Sequence, residues 1–187
     1  QELQPGHMMK VSRGQIDVKK YWEVYFKPDF GHGDKYFQEQ VQDLLTESVA
    51  LHTRSDVPVG GYVSGGLDSS VVASLATDHL DEPFMGFTGK FSLGDTYDES
   101  RYARELAEHY GFELYERDIT VTDFIENLSN VVYHLDYPVA GPGSFPQFMV
   151  SDLASQHRKV VLGGQGGDEI FGGYTRYLIA YFEQCIK

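Results

Sequence analysis

The alternation of short apolar runs with helix-like runs, which begins at Val57, is the feature that most constrains the fold of this chain. Short apolar runs bounded by turn residues predict buried strands, and apolar residues at helical spacing predict amphipathic helices. Regular alternation of the two is typical of a parallel sheet with helices on both faces. We therefore predict an α/β fold with a doubly wound parallel sheet.

The predicted strands and helices follow one another without an internal sequence repeat. Strands are expected at residues 57–63, 83–88, 112–119 and 159–162. Helices are expected at residues 35–54, 67–80, 98–110 and 122–135, after a loop at 137–144 up to about residue 157, and a last helix after residue 173. Ligands of such sheets bind beyond the carboxyl ends of the strands. Chemistry is therefore expected in the two loops of residues 64–70 and 163–173, which are rich in glycine and acidic residues.

Residues 1–27 form a separate region, in which turn residues alternate with short apolar-containing runs and no core of its own is visible. The string QPGH at residues 4–7 predicts a turn, and the runs on either side of Arg13-Gly14 predict an extended or hairpin segment. The string PDFGHG at residues 28–33 predicts a linker. We thus predict a tail at 1–27 and one domain at 28–187.

Composition excludes several classes of protein. The hydrophobic fraction of 41% excludes a disordered chain, and no apolar run reaches the roughly 18–20 residues of a membrane span. Residues 57–187 carry 19 acidic and 8 basic residues, which argues against a nucleic-acid partner, since such a partner needs a basic surface. Cys185 is the only cysteine, so an internal disulfide is excluded and a cytoplasmic location is expected.

The string SGGLDSS at residues 64–70 joins a predicted strand to a predicted helix. Its glycines let the backbone approach an anion, its serines add hydroxyl donors, and the helix start offers free N–H groups. The loop has no lysine and lacks the GxxxxGK[ST] pattern, which excludes a kinase-like or GTPase-like phosphate site. An ordinary glycine turn with a helix cap is the alternative explanation, and the length of the string makes it the less favoured one.

This loop, with the strand before it, resembles the PP-loop of the ATP-pyrophosphatase superfamily, and specifically that of the asparagine synthetase family. A second motif of the family is matched by VLGGQGGDEIFGGY at residues 161–174. Residues 97–100 and 134–146 are similar to the family as well, so the resemblance spans about residues 30–187. It implies the Rossmann-like fold of the adenine nucleotide alpha hydrolases, with this chain ending before the C-terminal helices of that domain.

The resemblance also implies a reaction. A carboxylate, aspartate in the first place, would be adenylated by ATP with release of pyrophosphate, and ammonia from glutamine would then form an amide. Residues 1–27 resemble the tail that joins this domain to an N-terminal glutaminase domain, which makes that domain an expected partner in the full-length protein. The chain lacks the N-terminal cysteine of the glutaminase and is not expected to hydrolyse glutamine. A homodimer is a further expectation.

By the same resemblance, ATP and Mg²⁺ are the expected cofactors. The residues expected to bind ATP through its pyrophosphate are Ser64, Gly65, Gly66, Leu67, Asp68, Ser69 and Ser70. Those expected to bind adenine and ribose are Tyr62, Val63, Thr88, Gly163 and Gly164. Asp68 and Asp168 are the expected metal ligands, which suits an ion that takes few carboxylates and adds phosphate oxygens and water. The expected catalytic residues are Gln165, Asp68, Asp168 and Glu169; solvated acids that cap the next helix are the alternative for Asp168 and Glu169.

Gln165 departs from the pattern of the family. The common form of the second motif is SGEGSDE, whereas residues 163–169 are GGQGGDE. A glutamine can position a group but cannot take up a proton as a glutamate does. The acyl substrate therefore stays open between aspartate and another acid, as in relatives similar to β-lactam synthetase or to peptide-cyclising or sugar-amidating enzymes. A nucleotide-binding module without turnover is the alternative from a different functional class.

Overall fold

A computed structural model describes residues 2–92, 94, 98–136 and 143–186. The chain divides into two compact units, residues 1–41 and residues 42–187. The predicted boundary after residue 27, and the assignment of the regions on either side of it, stay predictions. None of the helices in the described part of the chain combines the length and apolar character that crossing a membrane requires.

The first unit contains a β-hairpin, where the sequence predicts an extended or hairpin segment. Strand β1 (His7–Ser12) pairs antiparallel with β2 (Gln15–Lys20), and Ser12 lies opposite Gln15. The two turn residues between them, Arg13 and Gly14, both have positive φ angles, of 50° and 77°. Such a two-residue turn matches the twist of the flanking strands. Helix α1 (Asp34–His52) follows and crosses the boundary between the units.

A four-stranded parallel sheet forms the centre of the second unit. Its strands are β3 (Val59–Tyr62), β4 (Met85–Lys90), β5 (Glu113–Asp118) and β6 (Val160–Leu162), in the spatial order β5-β4-β3-β6. Gly61 of β3 lies opposite Gly86 on one side and opposite Leu162 on the other. The strand order thus reverses at β3, and the switch point, where ligands bind in such sheets, lies between β3 and β6.

Helices cover both faces of this sheet, as predicted. They are α2 (Leu67–His79), α3 (Ser100–Tyr110), α4 (Val121–Leu135) and α5 (Ser144–Ser155). Two further helices, α6 (Gly167–Phe171) and α7 (Thr175–Ile186), follow β6 along the chain and contain no buried residue among those described. One apolar cluster joins α2 and α3 to the sheet through small residues such as Ala73 and Ala103. A second cluster joins α4 and α5 to the fully buried Phe87. The doubly wound α/β fold is confirmed.

Most elements differ from their predicted limits by one or two residues, and three differences have a structural explanation. Strand β3 begins at Val59 rather than at residue 57, since Pro58 has no N–H to donate to a sheet. Strand β4 continues to Lys90, where it still pairs with Asp118 of β5. The predicted loop at residues 163–173 contains the short helix α6, because Gly166 and Gly172 adopt positive φ angles and let the chain enter and leave a helix abruptly.

Replacing Thr120 by alanine should lower the free energy of unfolding by about 1 kcal/mol, because Thr120 caps helix α4. Its Oγ1 accepts the Asp123 backbone N–H at 3.1 Å, and the Asp123 carboxylate accepts the Thr120 N–H at 2.9 Å. Urea unfolding of Thr120→Ala and of the control Thr122→Ala, an exposed position in the same turn, measures the difference. Equal losses in the two variants would contradict the assignment of the cap.

Candidate active site

The two glycine-rich loops meet at the switch point of the sheet, each directly after its strand. The first, residues 64–70, follows β3, and the second, residues 163–173, follows β6. A β-carbon at Gly164 would lie 2.6 Å from the backbone nitrogen of Ser69 and 2.8 Å from the carbonyl carbon of Asp68. Real β-carbons do not approach so closely. The absence of a side chain at Gly164 therefore lets the backbones of the two loops touch.

Hydrogen bonds inside the first loop hold its shape. Ser69 is buried, and its Oγ accepts the N–H of Ser64 at 3.2 Å and donates to the carbonyl oxygen of Gly66 at 3.1 Å. The hydroxyl of Ser70 donates to the same carbonyl oxygen at 2.8 Å. Gly65 has a φ of 85° and lies close to the carbonyl oxygen of Glu99, where a β-carbon would not fit. Two of the hydroxyls predicted to bind phosphate are thus engaged within the loop.

The start of helix α2 offers backbone N–H groups to a ligand. Gly66 is the residue that precedes the helix, and no side chain caps it. The backbone N–H of Ser70 bonds to the carbonyl oxygen of Gly66 at 3.1 Å. The N–H groups of Leu67, Asp68 and Ser69 come before Ser70 in the chain, in the first turn of the helix. Such groups at a helix start favour a bound anion.

Both predicted metal ligands lie against glycines of the second loop. A β-carbon at Gly167 would collide with the Asp68 carboxylate, and one at Gly173 would collide with the carboxylate of Asp168. Asp68 and Asp168 line one cavity, although they are 100 positions apart in the sequence. Among the described residues, no group of three or more His, Cys, Asp or Glu side chains could hold a metal ion. A Mg²⁺ ion here would complete its shell with ligand oxygens and water.

A cavity of about 490 Å³ lies between the two loops. The predicted site residues that line it are Tyr62, Ser64, Gly66, Leu67, Asp68, Ser69, Gly164, Gln165, Asp168 and Glu169. A second cavity, of about 240 Å³, is lined by Thr88 together with Phe87, Phe91 and Val150. Because Tyr62, Ser64 and Gln147 line both cavities, the two spaces adjoin. Together they are of the size that small-molecule ligands occupy.

Four predicted site residues line neither cavity: Val63, Gly65, Ser70 and Gly163. Val63 is fully buried and belongs to the apolar cluster under α2 and α3. Gly163 lies close to the side chain of Gln165. The roles predicted for these four residues stay predictions.

Sequence reasoning missed two polar residues of helix α5. Gln147 lines both cavities, and Ser151, one helical turn later, bonds to the Tyr62 hydroxyl at 2.8 Å. The available signal was a polar pair at helical spacing on a helix that also buries Phe145, Met149 and Val150. The string YPVAGPGS at residues 137–144 has two explanations in the sequence, an acyl pocket or an ordinary turn rich in Pro and Gly, and residues 137–142 lie outside the described residues.

Tyr174 was also missed, and it influences a predicted catalytic residue. Its hydroxyl donates to Glu169 Oε1 at 2.8 Å, and both residues line the larger cavity. This hydrogen bond lowers the pKa of Glu169 and raises the pKa of Tyr174. The guanidinium of Arg176 lies 4.1 Å from the centre of the Tyr174 ring and keeps a positive charge nearby. Glu169 is therefore an ionised carboxylate at neutral pH.

Fold and site together define a doubly wound α/β domain with two glycine-rich loops in contact at its switch point. The asparagine synthase family model matches residues 40–187. The chain belongs to the asparagine synthase family, as the resemblance in its two motifs predicts.

Two curated relatives illustrate this membership. Asparagine synthetase [glutamine-hydrolyzing] 1 of Bacillus subtilis is 36% identical over 94% of this chain and 28% of its own length. Asparagine synthetase [glutamine-hydrolyzing] 3 of Arabidopsis thaliana is 33% identical over 92% of this chain and 31% of its own length. The chain thus spans about a third of the length of the curated relatives it matches.

A solved structure, the NH3-dependent NAD synthetase from Campylobacter jejuni, has a TM-score of 0.49 and 16% identity to this chain. The match covers 73% of this chain and 60% of that one. A likeness of this size adds nothing to the fold class, which follows from the order and direction of the strands in this chain.

Gly164→Ala should separate the two loops, because its β-carbon would overlap the backbone of Asp68 and Ser69. We expect a loss of about 1–3 kcal/mol in the free energy of unfolding, the usual cost of overpacking. Gly143→Ala is the matched control, since a β-carbon at Gly143 would have no heavy atom of the described residues within 4 Å. Denaturant unfolding of both variants is the measurement. A loss at Gly164 no larger than at Gly143 would show that the loops do not depend on this contact.

Tyr174→Phe should raise the pKa of Glu169 toward its ordinary value, because the hydroxyl that favours the carboxylate is removed. A folded-state pKa below the unfolded one gives stability that is present at neutral pH and lost as pH falls through it. The variant should therefore differ more from the parent protein near neutral pH than in acid. NMR titration of the Glu169 carboxyl is the direct measurement, with Tyr177→Phe as the control. An unchanged titration midpoint would mean that the hydrogen bond is absent in solution.

Proposed function

We propose that this chain is the ATP-binding synthetase domain of an ATP-dependent, amide-forming ligase. In this proposal it adenylates a carboxylic acid, aspartate in the first place, and ammonia derived from glutamine then forms the amide. The observation that carries the proposal is the contact of the two glycine-rich loops around the start of helix α2, with Asp68 and Asp168 in the same cavity. Family membership and the names of the curated relatives support it.

The pyrophosphate part of ATP fits at the start of helix α2. The N–H groups of Leu67, Asp68 and Ser69 and the positive end of the helix dipole favour phosphate oxygens there. Gly66, which lines the larger cavity, leaves room for those oxygens close to the backbone. Because two serine hydroxyls are engaged inside the loop, backbone donors rather than hydroxyls supply most of the binding in this proposal.

Adenine and ribose fit in the adjoining smaller cavity. Phe87, Phe91 and Val150 give it apolar walls suited to a base, while Tyr62 and Ser64 connect it to the phosphate end. Thr88 also lines this cavity and is almost fully buried. The nucleotide in this proposal runs from the cavity beside β4 to the start of α2.

Mg²⁺ suits the donor set of this site. Asp68 and Asp168 would hold the ion, and it would supply positive charge for the phosphate oxygens of the nucleotide and the leaving pyrophosphate. Two carboxylates on two different loops leave most of the coordination shell to phosphate oxygens and water. That division is typical of Mg²⁺ sites that work with nucleotide substrates.

The proposed reaction has two steps. A carboxylate oxygen of the acid bonds to the α-phosphorus of ATP, and the bond from that phosphorus to the β-phosphate bridging oxygen breaks, which releases pyrophosphate. Ammonia then attacks the acyl carbon, loses a proton and displaces AMP. Gln165 lines the cavity as a neutral hydrogen-bonding group, and Glu169 as an ionised carboxylate. With its low pKa, Glu169 is a weak base and serves through its negative charge, which attracts ammonium or a substrate amine.

The partners of the proposal follow from the relatives. Both curated proteins are named glutamine-hydrolysing, and this chain matches about a third of each. We therefore propose that a glutaminase domain supplies ammonia to this domain in the full-length protein. A homodimer and a cytoplasmic location belong to the same proposal.

Asp68→Ala and Asp168→Ala should each lower acid-dependent ATP–pyrophosphate exchange by about 10²–10³-fold, because the phosphates lose a charge-stabilising group. Asp78→Ala is the matched control, since Asp78 is an exposed residue of the same helix α2. Exchange is measured on the full-length protein with Mg²⁺, ATP and aspartate, and then with other amino acids. Unfolding curves of each variant show whether the fold is kept.

Full exchange activity in both variants would overturn the metal assignment. Exchange that depends on another acid and not on aspartate would support the proposed adenylation step and would show that the other acid is the substrate. Tight binding of ATP without exchange under any acid would favour the nucleotide-binding module that the sequence leaves as an alternative.

A further inference from the structure

We propose that Gln147 is a positioning residue that fixes Gln165 as a hydrogen-bond donor and so helps to determine which acid the site accepts. Gln147 lies on α5, and Gln165 lies in the loop after β6; both line the larger cavity. The part of the inference that concerns the acid rests on the proposed function. The part that concerns hydrogen-bond direction rests on geometry alone.

The direction of the hydrogen bonds is set at Ser151. Its hydroxyl donates to the backbone carbonyl oxygen of Gln147 at 2.6 Å. A serine hydroxyl has a single hydrogen, so Ser151 Oγ must accept its other two bonds. These come from the hydroxyl of Tyr62 at 2.8 Å and from Nε2 of Gln147 at 3.3 Å.

The side-chain amide of Gln147 is oriented as a consequence. With its nitrogen directed at Ser151, its oxygen Oε1 is presented to residue 165, where it accepts from Gln165 Nε2 at 3.3 Å. A carboxylate at position 165 would instead place its oxygen against this carbonyl oxygen, and two acceptors repel each other. Gln147 and Ser151 therefore favour an amide at residue 165 over the glutamate of the common motif.

Gln165 is in turn oriented toward the bound acid. Its Oε1 lies close to Gly163, where a β-carbon would collide with it. Its nitrogen carries two hydrogens, and one of them is used on Gln147. We assign the second hydrogen to an oxygen of the acid. The site thereby takes an acid that presents a hydrogen-bond acceptor, and not an ammonium group, to residue 165.

A set of paired substitutions in the full-length protein tests this inference. Gln165→Glu alone should raise the KM for aspartate in ATP–pyrophosphate exchange about tenfold, with a smaller change in kcat, since a hydrogen bond to a charged group is lost and a repulsion is added. Its thermal midpoint should also fall. The matched control is Gln40→Glu, the same change at an exposed position of α1, which should alter neither quantity.

Second-site changes should remove the loss of thermal stability caused by Gln165→Glu by different routes. Gln147→Lys supplies donors both to Ser151 and to the carboxylate introduced at position 165, and should bring the thermal midpoint back to within about a degree of the parent value. The KM for aspartate should stay raised in this paired variant, because a glutamate at position 165 still has no hydrogen to donate to the acid. Gln147→Met removes the opposing carbonyl oxygen at similar volume. Ser151→Ala releases the amide of Gln147, which can then rotate and donate to the introduced carboxylate.

Each outcome decides one part of the inference. An equal fall of the thermal midpoint on Gln165→Glu in the parent protein and in the Gln147→Lys and Ser151→Ala backgrounds would overturn the positioning role of Gln147. Restored thermal midpoints without exchange under any acid would support that role and reject the proposed function. A KM for aspartate equal to that of the parent protein in Gln165→Glu and in both paired variants would reject the assignment of Gln165 to the acid.

Discussion

The close approach of Gly164 to the backbone of Asp68 and Ser69 is the contact on which the rest of the site depends. It brings the loop after β6 against the start of helix α2, although helices α2 to α5 lie between β3 and β6 along the chain. As a result, the Asp68 carboxylate lies beside Gly167, and Asp68 and Asp168 line the same cavity. A larger residue at position 164 would push the two loops apart, and Asp68 and Asp168 would then no longer line the same cavity.

Much of the fold could be predicted from the sequence, because strand and helix patterns are local. The apolar run at Val59–Tyr62 and the small apolar residues of α2 contain the information for a buried parallel strand and a close-packed helix. The short helix α6 could not be predicted, since its five residues lie between glycines whose φ angles depend on the folded loop. Local pattern does not carry that information.

The two glycine-rich loops of the candidate site could be located from the sequence, whereas the residues that line the cavity from helix α5 could not. SGGLDSS and GGQGGDE carry their chemistry in consecutive residues, so resemblance and spacing could assign them. Gln147 and Ser151 show their role only when α5 packs across β4 and places them near Tyr62 and Gln165. A single glutamine on a helix looks like a solvated residue in the sequence. Its partner Gln165, 18 positions away, comes within reach only in the folded chain.

The internal hydrogen bonds of the SGGLDSS loop have a consequence for the thermodynamics of binding. Ser64, Ser69 and Ser70 tie the loop to the carbonyl oxygen of Gly66 and to one another before any ligand arrives. The conformational entropy of ordering these residues is therefore lost during folding and not during association. An anion that reaches the start of α2 meets a preorganised template, so more of its interaction energy remains as affinity.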